Sequence, residues 1–180
     1  MKAKKLPPLE LILHRLEIDY SSPSGLSWKN PIARCLKPGD PAGNLNHSGY
    51  WQVTITTDKR RKYMAHRIIY YIQTGEDPGE NCIDHADGKK STNEENIRIA
   101  SREENSANRA KPSHRKGKKT SSKYKGVYWN KAAKKWRASI TVSGKNINLG
   151  FFMDEKEAAK SYNKAAFEAW GEFAKLNDVD

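Results

Sequence analysis

From Asn105 to Lys125 the chain reads NSANRAKPSHRKGKKTSSKYK, with eight Lys or Arg and no Asp or Glu. Pro112, Gly117 and three serines break any periodicity from Ala110 on. Like charges repel, and there is little to bury, so this stretch is expected to be an extended, flexible basic linker. It divides the 180 residues into an N-terminal unit, 1–109, and a C-terminal unit, 123–178, joined by 110–122. Treated as a coil, about fifteen residues reach roughly 20 Å. With 36% apolar and 30% charged residues, two small cores are expected rather than one large one.

The charge is unevenly placed. Residues 1–104 carry 16 Lys/Arg against 14 Asp/Glu, whereas 105–180 carry 17 against 7. A half-chain this basic seeks a polyanion, most simply nucleic acid. No apolar run has the length of a membrane span. The start, MKAKKLPPLELILHRLEID, is interrupted by Glu10, His14, Arg15 and Glu17 and is not read as a secretory signal. Cys35 and Cys82 are two lone thiols, too few for a disulfide framework or a four-cysteine zinc site. An intracellular, cytoplasmic protein is expected.

In the N-terminal unit, Leu9–His14 suits a short helix, and Leu16–Tyr20 and Leu26–Trp28 flank the turn SSPSG as a hairpin. Gly49–Thr56 and Lys62–Ala65 flank TDKRR as a second hairpin, with PGDPAGN as loop before it. His66–Thr74 places Ile68, Ile69 and Ile72 on one helical face, with Gly75 as its stop. Cys82–His85 is a short strand, a loop carries Asp87-Gly88, and Ile97–Ile99 alternates as a second strand. Ser101 and Glu104 then have the spacing of a capping box that opens a helix. The expected order is strand, loop, strand, helix.

In the C-terminal unit, Trp136, Ala138, Ile140 and Val142 alternate with Arg137, Ser139 and Thr141. After Ser143-Gly144, Ile147 and Leu149 alternate with Asn146 and Asn148. With Gly126–Trp129 these make a three-stranded antiparallel sheet, and Asp154 caps a helix whose stripe of Ala158, Ala159, Tyr162, Ala166, Ala169 and Trp170 packs on it. Trp136, Ile140 and Leu149 are assigned to the core. The opposite face carries Arg137, Ser139, Thr141, Asn146 and Asn148, donors and acceptors suited to base edges and phosphates. The fold class is α+β throughout.

Chemistry concentrates at Asp84-His85, Asn96 and Asn105. Phosphodiester hydrolysis needs an activated water and stabilisation of the leaving oxygen. His85 can take the water's proton, because an imidazole titrates near neutrality. A hard divalent ion, Mg2+ or Mn2+, needs only one or two protein oxygens, which Asp84 and Asn105 can supply. Asn96 can fix the tautomer of His85, with Asn93 the other asparagine available for that role.

The stretch DHADGKKSTNEENIRIASREENSAN resembles the HNH nuclease motif in the form found in phage and intron-encoded homing endonucleases. The upstream GDPAGNLNHSGYWQVTI and YMAHRIIYYIQTGEDP resemble that family's lead-in, so the likeness covers about 16–109. It implies a small ββα-metal unit, with His85 as general base, Asp84 and Asn105 on the ion, and products bearing 5′ phosphate and 3′ hydroxyl. His66 matches a lead-in histidine and is read as structural or as a phosphate contact, and Arg67 as one that could reach a phosphate. The CxxC pairs of zinc-stapled members are absent.

Residues 122–177, through KGVYW, KKWRASI, NLGFF, EAAKSYNKAAFEAWG and AKLN, resemble the plant ethylene-response-factor (Apetala-two) DNA-binding domain. The resemblance implies that the sheet enters the major groove, with Tyr128, Ser139, Thr141, Asn146 and Asn148 at DNA-facing positions and Trp129 and Arg137 as contacts. Most are not the Arg or Trp of the plant proteins, so the plant target does not transfer. Lys123, Lys125, Lys131, Lys134, Lys135 and Lys145, with Arg115, Lys116, Lys118 and Lys119, are assigned to phosphates.

The reading is a metal-dependent, homing-type DNA endonuclease of a phage in its bacterial host. It acts on double-stranded DNA as monomer or homodimer, with no membrane partner. The rival is a sequence-specific DNA-binding regulator with an inert nuclease unit. Replacing Arg115, Lys116, Lys118 and Lys119 by Gln is expected to weaken binding to all sequences. The slope of log K against log salt should flatten by about 0.9 for each phosphate that is no longer neutralised, as read by anisotropy titrations over a salt series.

Overall fold

The computed structural model describes residues 5–86, 97–115 and 117–179. They fall into two compact units, one up to Ser101 and one from Arg102.

In the first unit, α1 (Leu9–Arg15) leads directly into β1 (Leu16–Ile18), which pairs antiparallel with β2 (Leu26–Trp28). The turn between them is held by Asp19, whose Oδ1 accepts the Ser21 amide at 3.0 Å. The expected second hairpin is β4 and β5 of a three-stranded sheet, in the order β3 (Asn44–Leu45), β4 (Trp51–Thr56), β5 (Arg60–Met64). β3 adds a strand to the stretch PGDPAGN, read from its composition as loop alone. Then α2 (Ala65–Thr74) presents Ile68 and Ile69, both fully buried, to a core with Ile12, Leu16, Leu26 and Val53. Gly75 ends it at φ 75°, a left-handed conformation that glycine adopts without steric cost. β6 (Cys82–His85) and β7 (Ile97–Ala100) pair antiparallel, with Asp84 directly opposite Arg98. Asn93, Asn96 and the Asp87-Gly88 turn lie outside the described residues.

The second unit begins with α3 (Arg102–Ala107), followed by the small hairpin β8 (His114–Arg115) and β9 (Lys118–Lys119). A three-stranded antiparallel sheet follows in the order β10 (Val127–Asn130), β11 (Lys135–Val142), β12 (Lys145–Phe152). Ser143 at φ 49° and Gly144 at φ 75° make the two-residue turn between β11 and β12, whose hand matches the strand twist. α4 (Glu155–Trp170) is capped by Asp154, which accepts the Glu157 amide at 3.0 Å. Ala158, Ala159, Tyr162 and Ala166 bury their side chains against Val127, Ala138 and Ile140, as the alternation predicts. Trp136 and Leu149 complete that core, half-buried.

The expectation of an extended linker over 110–122 is corrected by its hydrogen bonds. Lys111 Nζ donates to the carbonyls of Tyr124 and Val127, both at 2.8 Å. Lys125 Nζ donates to Ala107 and, at 2.8 Å, to Arg109, holding the end of α3. Ser121 Oγ accepts the Trp129 amide at 3.0 Å, and Asn177 brackets Lys125 through both its amide and its carbonyl. Charge counting treats these lysines as mutually repelling, but two of them are held by backbone carbonyls of this unit. Among the described residues no helix is long and apolar enough to cross a membrane.

At Gly126 (φ 75°) an added Cβ would lie 1.9 Å from Cδ2 of the Tyr162 ring. Gly126→Ala is therefore expected to lower the stability of the second unit by about 2–4 kcal/mol through overpacking and left-handed strain. Gly144→Ala has an equally positive φ but open space around it, and should lose only the strain part. Urea unfolding followed by near-UV circular dichroism reads both.

Candidate active site and DNA-facing surface

β6 carries Asp84 and His85 to its C-terminal end, and both are buried, at 3% and 7% exposure. A buried carboxylate needs a counter-charge, and the register supplies one. Arg98, opposite on β7, donates Nε and Nη2 to Asp84 Oδ2 at 3.2 and 3.1 Å. These two bonds direct the carboxylate.

Rings from three elements meet at His85. His66, in the first turn of α2, stands edge-on to it at 5.2 Å between centroids and 86° between planes. Tyr50, just before β4, lies 6.2 Å from His85 and 5.7 Å from His66. Tyr50 is itself located by its amide, which donates to Asn46 Oδ1 at 3.0 Å. Burial, then the neighbouring His85 and Arg67, pushes the pKa of His66 down to about 3, so its ring is neutral at any working pH. His66 thus has the structural placement of its two readings. Arg67, read as one that could reach a phosphate, is held by the fold instead: its Nη1 and Nη2 donate to the carbonyls of Asn81 and Gly79 at 2.8 and 2.7 Å, stapling the loop before β6.

Asn105 is half-buried on α3, a helix of the second unit. Asn96 falls on residues not described. Among the described residues no three His, Cys, Asp or Glu side chains gather at one point. Asp84 and Asn105 each carry a hard oxygen donor of the kind that Mg2+ or Mn2+ takes.

On the second unit's sheet, the register places Tyr128 opposite Arg137, Arg137 opposite Phe151, Ser139 opposite Asn148, and Thr141 opposite Asn146. These are the outward positions, and a bulge between Ala138 and Ser139 keeps them together. Lys145 is exposed at the start of β12. Trp129, expected as a DNA contact, alternates onto the other face, where it stands edge-on to Trp136 at 5.1 Å. Lys125 is likewise corrected from phosphate contact to backbone staple. Arg115, Lys118 and Lys119 lie on the β8–β9 hairpin, while Lys116 is outside the described residues. A groove of about 1070 Å3 brings Ser139, Thr141 and Asn146 together with Arg102 and Ser106 of α3 and with Lys119. Arg102, Tyr50, Arg98 and Phe151 are not singled out by the sequence reading. Arg98 had a signal, since it alternates with Ile97 and Ile99 on the strand that must pair with Asp84.

The chain is 31% identical over 112 residues to Protein 3.8 of Escherichia phage T7, spanning 62% of this chain and 88% of that protein. It belongs to the family of that phage protein. It is also 32% identical over 121 residues to an uncharacterized HNH endonuclease of Acanthamoeba polyphaga mimivirus, covering 66% of this chain and 59% of that one. The chain thus spans about three fifths of the length of the mimivirus relative. Over 43 residues it is 46% identical to an ethylene-responsive transcription factor-like protein of Arabidopsis thaliana, covering 24% and 18% of the two chains. No family model and no solved structure matches it.

A histidine whose folded pKa lies below its unfolded value of about 6.5 binds protons less well in the native state. Its contribution to stability is therefore complete above pH 6.5 and is lost as pH falls towards about 3. From this residue alone the slope is up to about 1.4 kcal/mol per pH unit. His66→Phe, which keeps a ring and removes the proton site, is expected to flatten that slope in urea unfolding between pH 4 and 7.

Proposed function

We propose that the chain is a metal-dependent DNA endonuclease of the HNH class and homing type. Residues up to 109 hydrolyse the phosphodiester and residues 123–178 select the DNA. One observation carries this reading. A buried Asp-His pair stands at a strand end, its carboxylate oriented by a cross-strand arginine and its imidazole packed against two rings from other elements. The similarity to the mimivirus HNH endonuclease and the plant-factor likeness of the second unit support the assignment of roles.

His85 accepts the proton of the attacking water at one ring nitrogen, and Asn96 orients the ring through the other. Neutral His66 and Tyr50 hold the plane of that ring and place no competing charge beside it. Asp84, directed by Arg98, and Asn105 would hold the ion. A bound Mg2+ or Mn2+ would draw charge from the phosphate and the departing 3′ oxygen. One such site per chain cuts one strand, so a monomer nicks and a dimer cuts both. The relative in Escherichia phage T7 supports a phage setting in a bacterial host.

Incubation with supercoiled plasmid and Mg2+ or Mn2+ is expected to produce nicked product that EDTA abolishes. His85→Ala should slow nicking by about 10²–10⁴-fold at unchanged DNA affinity. Asp84→Asn should raise the ion concentration needed. Tight binding with no cleavage over a range of sites and metals would sink this reading and support the DNA-binding regulator.

A further inference from the structure

The outward face of the second unit's sheet is mostly hydrogen-bonding groups, with one exception. Tyr128, Arg137 and Phe151 form a row across its three strands, each opposite the next in register. The Arg137 guanidinium carbon lies 5.6 Å from the centre of the Tyr128 ring and 5.8 Å from that of Phe151. Its Nε donates to Asn148 Oδ1 at 2.9 Å. That bond engages Nε, and the two rings flank the guanidinium and restrict its plane. Tyr128 and Phe151 stay 37% and 43% exposed, so neither ring is there to fill the core.

The geometry points to a base-reading row specific for guanine beside thymine in the major groove of duplex DNA. This rests on the reading that the second unit binds DNA. A fixed guanidinium fork matches the O6 and N7 acceptors of guanine, and an exposed phenyl edge matches the C5 methyl of thymine, the one apolar group in that groove. Neighbouring strands are about 4.8 Å apart and base pairs about 3.4 Å. Arg137 in the middle strand and Phe151 in the next therefore address adjacent pairs. The occupant is a polyanion because residues 105–180 carry 17 Lys/Arg against 7 Asp/Glu. A duplex is favoured over unpaired bases because the rest of the face, from Ser139 to Asn146, offers donors and acceptors rather than more rings. Phe151 is thus a specificity residue, and Arg137 is committed to a base rather than to phosphate.

The test uses the full chain in EDTA, with selection from a random duplex library and then anisotropy on the winning site. The site is expected to contain guanine next to thymine. Replacing that thymine by uracil removes only the methyl, and should weaken wild-type binding about fourfold while leaving Phe151→Ala unaffected. Arg137→Lys keeps the charge but loses the fork, and should lower discrimination for the guanine by about 5- to 150-fold. Because the uracil comparison needs no protein variant, a misfolded mutant cannot mimic it. Selective binding with uracil equal to thymine would overturn the row while leaving the DNA-reading role intact. Tighter binding to the single strand would overturn it in favour of stacking on unpaired bases. No duplex binding at all would remove the DNA-reading role itself.

Discussion

Asp84 is the residue on which the geometry of the first unit turns. A carboxylate at 3% exposure is strongly disfavoured unless a charged donor meets it. Arg98 does so because the β6–β7 register puts it directly opposite. A slip of one residue would move every side chain on one strand to the wrong face and leave Asp84 buried without its cation. The pair therefore makes the register costly to change, and the register in turn sets where His85 emerges at the end of β6. A salt bridge of this kind adds little net stability. What it adds here is position, which the cleavage proposed above would need most.

Next to that charged pair lies a neutral cluster. His66 cannot carry a proton in its surroundings near neutral pH. Three rings at 5–6 Å from one another restrict His85 on two sides without offering it a competing base. The division is consistent: charge orients the carboxylate, and packing orients the imidazole.

Elements that rest on local pattern were legible in the sequence. The alternation through Trp136–Val142, the turn at Ser143-Gly144, the Asp154 cap and the stop at Gly75 are each decided by residues within a few positions of one another. The same holds for the Ile68-Ile69 face and for Asp84-His85 at a strand end. Contacts between residues distant in sequence were not legible. Tyr50 reaches His85 across thirty-five positions, and no local rule links a loop tyrosine to a strand histidine. Likeness assigns Trp129 to DNA, but the period-2 register gives it to the other face. Composition misleads over 110–122 because it reports charge and not the carbonyls that a lysine can find.

Those carbonyls change how the basic character of the second unit should be weighed. Net charge treats every ammonium as available to phosphate. Lys125, pushed down to about 8 by burial, is occupied by the carbonyls at the end of α3, and Lys111 by those of Tyr124 and Val127. Moving either onto a phosphate would break several charge-assisted bonds, worth about 1.5–3 kcal/mol each. A phosphate contact at a partly solvated surface returns less than that. Both lysines therefore belong to the fold, and a count of the charge open to a polyanion should leave them out. The consequence is a separation of roles along one basic stretch. Its inner lysines, Lys111 and Lys125, hold the α3 segment to the strands that follow it, whatever the rest of the stretch meets.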